Sequence, residues 1–422
     1  MQMESISEIT SEDYYNGCFD LQGINWENNL IYNQNISTRL TKSIYRQIRN
    51  SKYMNYQDLQ WNKEKIKKEI TPVRDDGKFF KFRHSKFGTN SSICHFQLRN
   101  LLASPTKNDI YYYAKDSIRH WSPITHESKP VYRLDINTHI NTLYSLTASR
   151  NLIACGIGSG TYVVCNTNSP KNYKVNEIPR ISQTDPQAST IDYTINYMKF
   201  IDNHTRNLEL LIASNDYYCR MVDINTFKYT YNYRDINPIN CASLKNDGKT
   251  LLVVGDSTKA KLLDITSNRI IHQINDHYDF LFSCEWSPNG NYFATGGQDM
   301  CVRIYDNRNI KQSLNVLPMN IASVRSMRFT DDNQYLAVAE QIDYVHIYDA
   351  ANGLFLREQV IDFFADIAGI SFTPGEGQGF YISTVDSEIN SHQPIIPTIL
   401  NNGVLMEFER YRYSRSESSW IF

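Results

Sequence analysis

Hydrophobic residues in the central part of the chain alternate with polar ones in short runs, and turn residues separate the runs. In "FSCEWSPNGNYFATGGQDMCVRIYD" two alternating runs flank the turn Ser-Pro-Asn-Gly, and a third follows Gln298 and Asp299 and ends at Asp306. Apolar positions with a period of two, bounded by turn residues, are typical of antiparallel β-strands and not of helices. This region is therefore predicted to be all-β.

The same order of strands and turns recurs along the chain. The apolar run that ends in Asp does so at intervals of 41 to 43 residues, at Asp223, Asp264, Asp306 and Asp349. Six to eight residues before each of these lies a second carboxylate, at Asp216, Asp256, Asp299 and Asp343. Four-stranded propeller blades repeat every ~40 to 45 residues. We interpret the earlier carboxylates as turn residues, each serving its own repeat rather than one acidic cluster.

Weaker repeats extend the array on both sides. Together with them, the strand ends number seven, near positions 114, 166, 223, 264, 306, 349 and 409. The fold class predicted is all-β, a seven-bladed β-propeller over residues 91–413, with a tail over 414–422. A closed propeller leaves no open sheet edge to aggregate. Residues 1–90 do not fit the repeat and are predicted to be a partly helical or disordered extension.

The repeat that ends at Asp306 also suggests a hydrogen-bond network. His277 lies 22 residues before Asp299, in the segment ahead of the first strand. We expect His277, Asp299 and Thr295 to be linked, with Tyr305 continuing the network. In this interpretation the glycine pair before Gln298 allows the strands and the turn to approach each other closely. The alternative is a phosphate-binding loop, which needs a Lys-Ser/Thr pair and a helix after the glycines. The sequence after Gly297 has neither, so this alternative is disfavoured.

These residues resemble the WD40 repeat family, with Tyr in place of the signature Trp in two of the four clear units. The phrases "DLQGINWE", "SVRSMRFTDDNQYLAVAEQIDYVHIYDA" and "IDFFADIAGISFTP" look like a subfamily of cytoplasmic WD40 proteins of fungi, plants and amoebae with a conserved domain of unknown function. The resemblance covers most of 20–413 and implies a fold but no catalytic residues. This chain departs from it at Gln341-Ile342 and in an insertion at 387–402.

The strand end "YDNR" raises a second resemblance. In WD40 proteins that are substrate receptors of cullin ubiquitin ligases, a strand ending in Trp-Asp-x-Arg presents its arginine to the adaptor. Asp306 and Arg308 stand in that arrangement, with Tyr for Trp. The alternative is a structural arginine that pairs with an acid of a neighbouring blade. A motif match of this kind is a hypothesis until its context is known.

The extension contains one helical pattern, "STRLTKSIYRQIRNSKYMNYQ". Leu40, Ile44 and Ile48 recur every four residues after a Ser/Thr start, which predicts an amphipathic helix. Five basic residues and no acid fall between positions 39 and 52. A nucleic-acid or acidic partner is one interpretation, and a solvated face of a helix packed on the propeller is the favoured one.

Composition narrows the function classes. The net charge of -2 disfavours nucleic acid as a partner. The polar amino terminus lacks a signal-peptide pattern, and no apolar run is long enough to cross a membrane. Eight cysteines form no Cys-x-x-Cys pair, which favours reduced thiols in the cytoplasm or nucleus. No metal or cofactor site is predicted from the spacing of His, Cys and acids.

The remaining binding candidates are charged residues at predicted strand ends near one propeller face. They are Arg99, Arg325, Glu340, Asp362 and Asp366. A charge in an apolar strand is costly unless it is paired or lines a wet channel, so a structural ion pair is the simpler interpretation. The leading function hypothesis is a non-enzymatic scaffold that binds proteins or peptides. The alternatives are a ubiquitin-ligase receptor and a propeller enzyme with a polar central channel.

Overall fold

Regular structure in this protein is almost entirely antiparallel strand. The computed structural model describes residues 8–15, 21–22, 41–93, 95, 99–134, 142–180, 191–202, 207–385 and 403–411. Within these ranges the helices are α1 (Ser11–Tyr15), α2 (Lys42–Lys52), α3 (Lys63–Lys67) and a 3-10 turn at Gly158–Gly160. None of them is long and apolar enough to span a membrane. The predicted all-β class is confirmed, whereas the tail at 414–422 and the insertion at 387–402 lie outside the described residues.

In the described part of residues 1–90, two strands precede the repeats, β1 (Glu8–Thr10) and β2 (Phe80–Phe87). Five four-stranded sheets follow, in each of which consecutive strands pair antiparallel. The first two sheets consist of β3 (Leu102–Ala103), β4 (Ile110–Ala114), β5 (Ser117–Ser122) and β6 (Glu127–Arg133), and of β7 (Leu143–Ser149), β8 (Leu152–Ile157), β9 (Thr161–Asn166) and β10 (Ser169–Glu177). The next two consist of β11 (Ile195–Asp202), β12 (Leu208–Ser214), β13 (Tyr218–Asp223) and β14 (Tyr229–Arg234), and of β15 (Ile239–Leu244), β16 (Thr250–Gly255), β17 (Ala260–Asp264) and β18 (Arg269–Ile274). The fifth consists of β19 (Leu281–Trp286), β20 (Tyr292–Gly297), β21 (Cys301–Asp306) and β22 (Asn315–Pro318).

The last part of the chain forms an eight-stranded sheet with a different connectivity. Its strands are β23 (Val324–Phe329), β24 (Tyr335–Glu340), β25 (Ile342–Asp349), β26 (Glu358–Phe372), β27 (Gly379–Val385) and β28 (Val404–Arg410), followed by β2 and β1. Strand β26 has 15 residues; its first part pairs with β25 and its second part with β27. One long strand therefore serves two four-stranded units, β23 to β26 and β26 to β28 with β2.

Strand β2 joins the start of the chain to its end. It pairs antiparallel with β28, with Phe82 opposite Phe408. The boundary that the sequence placed at residue 91 is therefore too late, because a strand of the last sheet lies within residues 1–90. The strand end expected near 114 is also misplaced: Ala114 ends a second strand, and the third strand of that sheet ends at Ser122.

The first strands of neighbouring sheets pack side by side. β3 contacts β7, and the contacts continue through β11, β15, β19 and β23 to β26, which in turn contacts β3. Apolar side chains fill the space between consecutive sheets; Val302 and Leu317, for example, share a cluster with Leu336 and Val338. Each sheet is thus stabilised by burying apolar area against its neighbours.

The glycine pair before Gln298 is required by this packing. A Cβ on Gly297 would overlap the carbonyl oxygen of Phe280, and a Cβ on Gly296 would overlap the side chain of Val324. Both glycines are buried at the end of β20. Close strand approach, as expected from the sequence, is the role of this pair.

Candidate functional site

The sheet topology separates the candidate residues onto two ends of the strands. In an antiparallel four-stranded sheet, the segment before the first strand and the turn between the second and third lie at the same end. We call this end the upper face; it includes Asp279, Gln298, Ser323 and Asp343. The opposite end, with the turns after the first and third strands, is the lower face, and Arg308 lies there.

The turn network of the upper face contains three of the four residues expected from the sequence. His277 Nδ1 lies 2.9 Å from Asp299 Oδ2, and His277 Nε2 lies 2.8 Å from Thr295 Oγ1. Burial by itself would raise the pKa of Asp299, but the His277 ring and hydrogen bonds hold it below its usual value. Tyr305 does not continue this chain, because its hydroxyl donates to Asp276 Oδ2 at 3.2 Å.

Two clusters in the described residues have side chains that metals use as ligands. His277, Asp299 and Cys301 are buried with ligand atoms within 4.8 Å of one another, and Glu8, His84 and His126 form a second such group. Both ring nitrogens of His277 already have protein partners, and burial raises the pKa of the Cys301 thiol well above its ordinary value. A thiol binds metals as the thiolate, so the first cluster suits the hydrogen-bond network better than an ion.

The other repeat-turn carboxylates have different partners. Asp216 forms a buried ion pair with Arg220, whose Nη2 lies 2.5 Å from Oδ2. Asp256 accepts a hydrogen bond from Asn240 Nδ2 at 2.8 Å. Asp343 binds two arginines from outside its own sheet, as described below. The sequence repeat therefore predicted where these carboxylates lie in each sheet, but it did not predict which groups they bind.

Two arginine candidates are buried rather than available at a surface. Arg99 and Arg325 are each 1% exposed. Arg325 Nη2 donates to the side-chain oxygens of Gln298 and Gln341, both at 2.9 Å, and its guanidinium lies 4.2 Å from the ring centre of Phe282. Burial lowers the pKa of Arg325 to about 9. The ion pair expected for Arg325 is therefore wrong, because the side chains that bind its guanidinium are the neutral amides of Gln298 and Gln341.

The acidic candidates divide into structural and surface groups. Glu340 is fully buried and accepts backbone hydrogen bonds from Asn320, Ile321 and Ala322 at 2.7, 2.9 and 2.5 Å. Asp366 is also buried, and burial raises the pKa of its carboxyl. Neither is placed to meet a partner directly. Asp362, in contrast, is partly exposed and lies beside α2.

On the lower face, Asp306 and Arg308 bind each other. Arg308 Nε donates to Asp306 Oδ1 at 2.9 Å and Nη2 donates to Oδ2 at 2.5 Å. The Arg308 side chain is 76% exposed. The expected structural pairing with an acid of a neighbouring blade is therefore wrong, because the partner is the aspartate two residues earlier.

Helix α2 forms where the sequence predicted a helix but packs through a different face. Thr41 caps it, accepting a hydrogen bond from the backbone N–H of Ile44 at 3.3 Å. Ile44 is 43% exposed and Ile48 is partly buried, whereas Tyr45 is the buried residue of the helix. Leu40 lies outside the described residues. The apolar face predicted at these isoleucines is wrong: the packed face carries Tyr45 and two arginines.

Arg46 and Arg49 insert into an acidic and aromatic recess, which we call the arginine cradle, formed by Asp343, Tyr344, Asp362 and Phe364. Arg46 Nη1 donates to Asp343 Oδ2 at 2.7 Å, and Nη2 donates to Asp362 and to the carbonyl of Phe363. The Arg46 guanidinium lies 4.5 Å from the ring centre of Tyr344 and 4.0 Å from that of Phe364. Arg49 Nε and Nη2 bind the two oxygens of Asp343 at 2.5 and 2.8 Å.

Asp343 is the central acid of the cradle. It lies at an irregularity in the pairing of β25 with β26, has a φ of 70°, and is fully buried. Burial raises the pKa of its carboxyl, and the two arginines oppose that shift. A non-glycine residue in the left-handed region at a bulge is uncommon and is often found at functional positions. The favoured sequence interpretation placed this helix against the propeller, and α2 does pack there, but the solvated basic face is wrong for Arg46 and Arg49.

The chain after α2 continues across the upper face; we call residues 53–71 the strap. Asn55 Nδ2 donates to the carbonyl of Gln298 at 3.0 Å, and the backbone N–H of Ser323 donates to Asn55 Oδ1 at 3.1 Å. Asp279 accepts from the backbone N–H of Leu59 and from Trp61 Nε1, at 3.0 and 3.1 Å.

The strap then descends along the side of a sheet. Glu69 binds Arg303 and the Tyr278 hydroxyl, each at 2.5 Å. The backbone of Thr71 is hydrogen-bonded to Val316 at 2.9 Å. Sequence reasoning missed all of these contacts, because nothing in the local pattern pairs residues that are more than 200 positions apart.

Comparison with known proteins agrees with this architecture. Residues 268–306 match the family described as WD domain, G-beta repeat. An uncharacterized protein of Schizosaccharomyces pombe is 25% identical over 61% of this chain and 74% of its own length. The guanine nucleotide-binding protein subunit beta of Dictyostelium discoideum is 26% identical over 34% of this chain and 39% of its own length. Autophagy-related protein 16 of Arabidopsis thaliana is 24% identical, over 53% of this chain and 40% of that protein.

Among solved structures, a chain in the crystal structure of the mitotic checkpoint complex has a similar fold. The TM-score is 0.59 at 13% identity, over 86% of this chain and 99% of that chain. At this identity the likeness shows the fold alone. The repeat match, the relatives and the array of four-stranded sheets together support the WD40 repeat family for this chain.

Proposed function

We propose that this protein is a non-enzymatic scaffold that binds proteins or peptides on the upper face of a WD40 propeller. One observation carries the proposal: the upper face already holds a peptide segment, residues 41–61 of the same chain. Asn55 and Asp279 engage backbone groups across this contact, and Arg46 fills a side-chain recess. A division of this kind, in which backbone hydrogen bonds give affinity and side-chain pockets give specificity, is one of the modes by which proteins recognise peptides.

The scaffold proposed here has seven blades. Five are the four-stranded sheets, and two come from the eight-stranded sheet, in which β26 serves both. The pairing of β2 with β28 supplies the fourth strand of the last blade. The contact of β26 with β3 supports a closed ring. Closure of this kind gives a rigid frame on which the turns of either face are held in place.

The rival hypothesis of a propeller enzyme has less support. Among the candidate polar residues of the upper face, Glu340 is engaged by three backbone amides and Arg325 by two side-chain amides. Groups committed in this way stabilise the turns and are not poised for proton transfer. The six described cysteines are unpaired and buried, in keeping with a proposed location in the cytoplasm or nucleus.

Quantitative affinity purification tests the scaffold function. We expect Asp362→Ala together with Tyr344→Ala to remove specific partners that the wild-type chain recovers from its own cells. Lys311→Ala, an exposed substitution near the lower face, is the control and should retain them. Identical partner sets for all three proteins would contradict binding through the upper face.

A second function is proposed from the lower face, that of a ubiquitin-ligase substrate receptor. The exposed guanidinium of Arg308, held by Asp306 at the end of β21, supports it. A cavity of about 260 Å³ lies on the same face and is lined by turn residues that include Asn291 and Asp332. We expect wild type and Lys311→Ala to recover a ligase adaptor and Arg308→Ala to lose it. If wild type recovers none, or the Arg308 variant recovers as much, Arg308 is structural.

A further inference from the structure

We propose that the arginine cradle recognises a partner helix with two arginines one turn apart, and that α2 is the occupant that the chain itself supplies. This inference rests on the proposed scaffold function and names the chemistry of its partner. The ligand is a helical peptide with an aromatic residue directly before the first arginine, as Tyr45 stands before Arg46. Tyr45 packs edge-on against Phe364, with ring centres 4.6 Å apart.

The cradle is selective for a guanidinium. Two carboxylates and a backbone carbonyl surround the Arg46 head group, and the Tyr344 and Phe364 rings both lie within stacking distance of it. A planar group with several N–H donors satisfies the acceptors and the rings together. A lysine ammonium has no planar face to stack and cannot form the two-pronged contact that Arg49 makes with Asp343.

Helix α2 is attached through few side chains. Tyr45, Arg46 and Arg49 make the close contacts with the cradle, and Lys42 Nζ adds a looser one, 3.6 Å from Asp362 Oδ2, with a side chain that is 40% exposed. Ile44 is exposed. An isolated helix of this length is marginal in water, so α2 depends on these contacts. An arginine-bearing helix that makes the same contacts in addition to others can therefore replace it.

The cradle requires an arginine whenever it is occupied by a protein segment. Asp343 is fully buried, and a buried carboxylate without a cationic partner is strongly unfavourable. A partner that displaces α2 must supply a guanidinium in return. This exchange makes the two arginines, rather than apolar area, the determinant of which helices bind.

The probe for the test is a fluorescent peptide with the sequence of residues 41–53. It is titrated against the full chain as wild type, as Arg46→Ala/Arg49→Ala, and as the same double variant with Asp343→Asn. We expect the double variant to bind the peptide at least tenfold more tightly than wild type, because its cradle is vacated. We expect Asp343→Asn to weaken that binding at least tenfold, and a peptide with both arginines replaced by lysine to bind at least tenfold more weakly.

Circular dichroism and thermal melting establish that each variant is folded. If Arg46→Ala/Arg49→Ala does not fold, Arg46→Lys/Arg49→Lys replaces it with the same expected outcomes. A folded variant that does not bind the peptide, or that binds the lysine peptide equally well, overturns the proposal. Peptide binding that depends on Asp343, alongside cellular partners that ignore Tyr344 and Asp362, would instead sustain the cradle and refute the proposed scaffold role of this face.

Discussion

The Arg49 guanidinium forms a two-pronged ion pair with the carboxylate of Asp343, with Nη2 and Oδ1 2.8 Å apart, across 294 residues of sequence. The arginine belongs to a short helix and the aspartate to the turn of a distant sheet. Because Asp343 is buried, this contact stabilises the attachment of the extension more strongly than a surface ion pair would.

The first prediction concerns this pair. In a double-mutant cycle of Arg49→Ala and Asp343→Asn, followed by chemical denaturation, we expect a coupling free energy on the order of 1 to 3 kcal/mol. The matched control is Lys67 with Glu64, whose side chains are 63% and 66% exposed and 2.7 Å apart. There the coupling should be below about 0.5 kcal/mol. Equal coupling in both cycles would show that burial of Asp343 does not matter.

The second prediction concerns the turn network. His277→Ala and Asp299→Ala should each lower the free energy of unfolding by about 1 to 3 kcal/mol, because each leaves a buried polar partner unsatisfied. The double variant should lose less than the sum, since the two side chains share one hydrogen bond of 2.9 Å. Fully additive losses in thermal or denaturant melts would refute a shared network.

The third prediction is a pH dependence that comes from His346. Burial by itself would lower the pKa of His346, but hydrogen bonds from its ring to Glu340 and Glu358 raise it to about 9. Because this folded-state pKa lies above the unfolded value of about 6.5, the stabilisation is complete below pH ~6.5 and is lost as the pH rises through about 9.

His346→Gln measures this effect. The charge-dependent part of its destabilisation should be on the order of 3 kcal/mol at pH 6, should shrink as the pH rises from about 6.5 to 9, and should be nearly absent above pH ~9. His272→Gln, at an exposed position of β18, is the matched control. A difference between wild type and His346→Gln that stays constant from pH 6 to 10 would contradict the assignment.

The fourth prediction is that residues 1–90 do not fold by themselves. Strand β2 pairs with β28, and the arginines of α2 pair with Asp343 and Asp362. These partners, β28 and the two aspartates, lie outside the fragment. Circular dichroism of the fragment should therefore show no cooperative thermal transition, whereas the full chain should show one. A cooperative melt of the fragment would mean that the extension is an independent domain.

Sequence periodicity was sufficient for the local elements. Alternating apolar residues and periodic aspartates predicted the strands and turns around Asp299, because a strand's two faces and a turn's geometry depend on neighbouring residues. The link of His277, Thr295 and Asp299 could be anticipated for the same reason, since all three lie within one repeat. A helix in the segment of α2 also followed from the local pattern, although the observed cap is Thr41 and the Ser/Thr start expected before Leu40 lies outside the described residues.

Tertiary structure alone decided which charges meet. From the sequence, the basic residues of α2 are interpreted as a solvated face, because the aspartates that bind them, Asp343 and Asp362, lie about 300 positions away in the chain. The boundary at residue 91 was misplaced for the same reason, because β2 acquires its strand partner only from β28. Local sequence specifies which groups a segment offers, but long-range packing brings these groups together, and burial then determines how strongly Asp343 must bind an arginine.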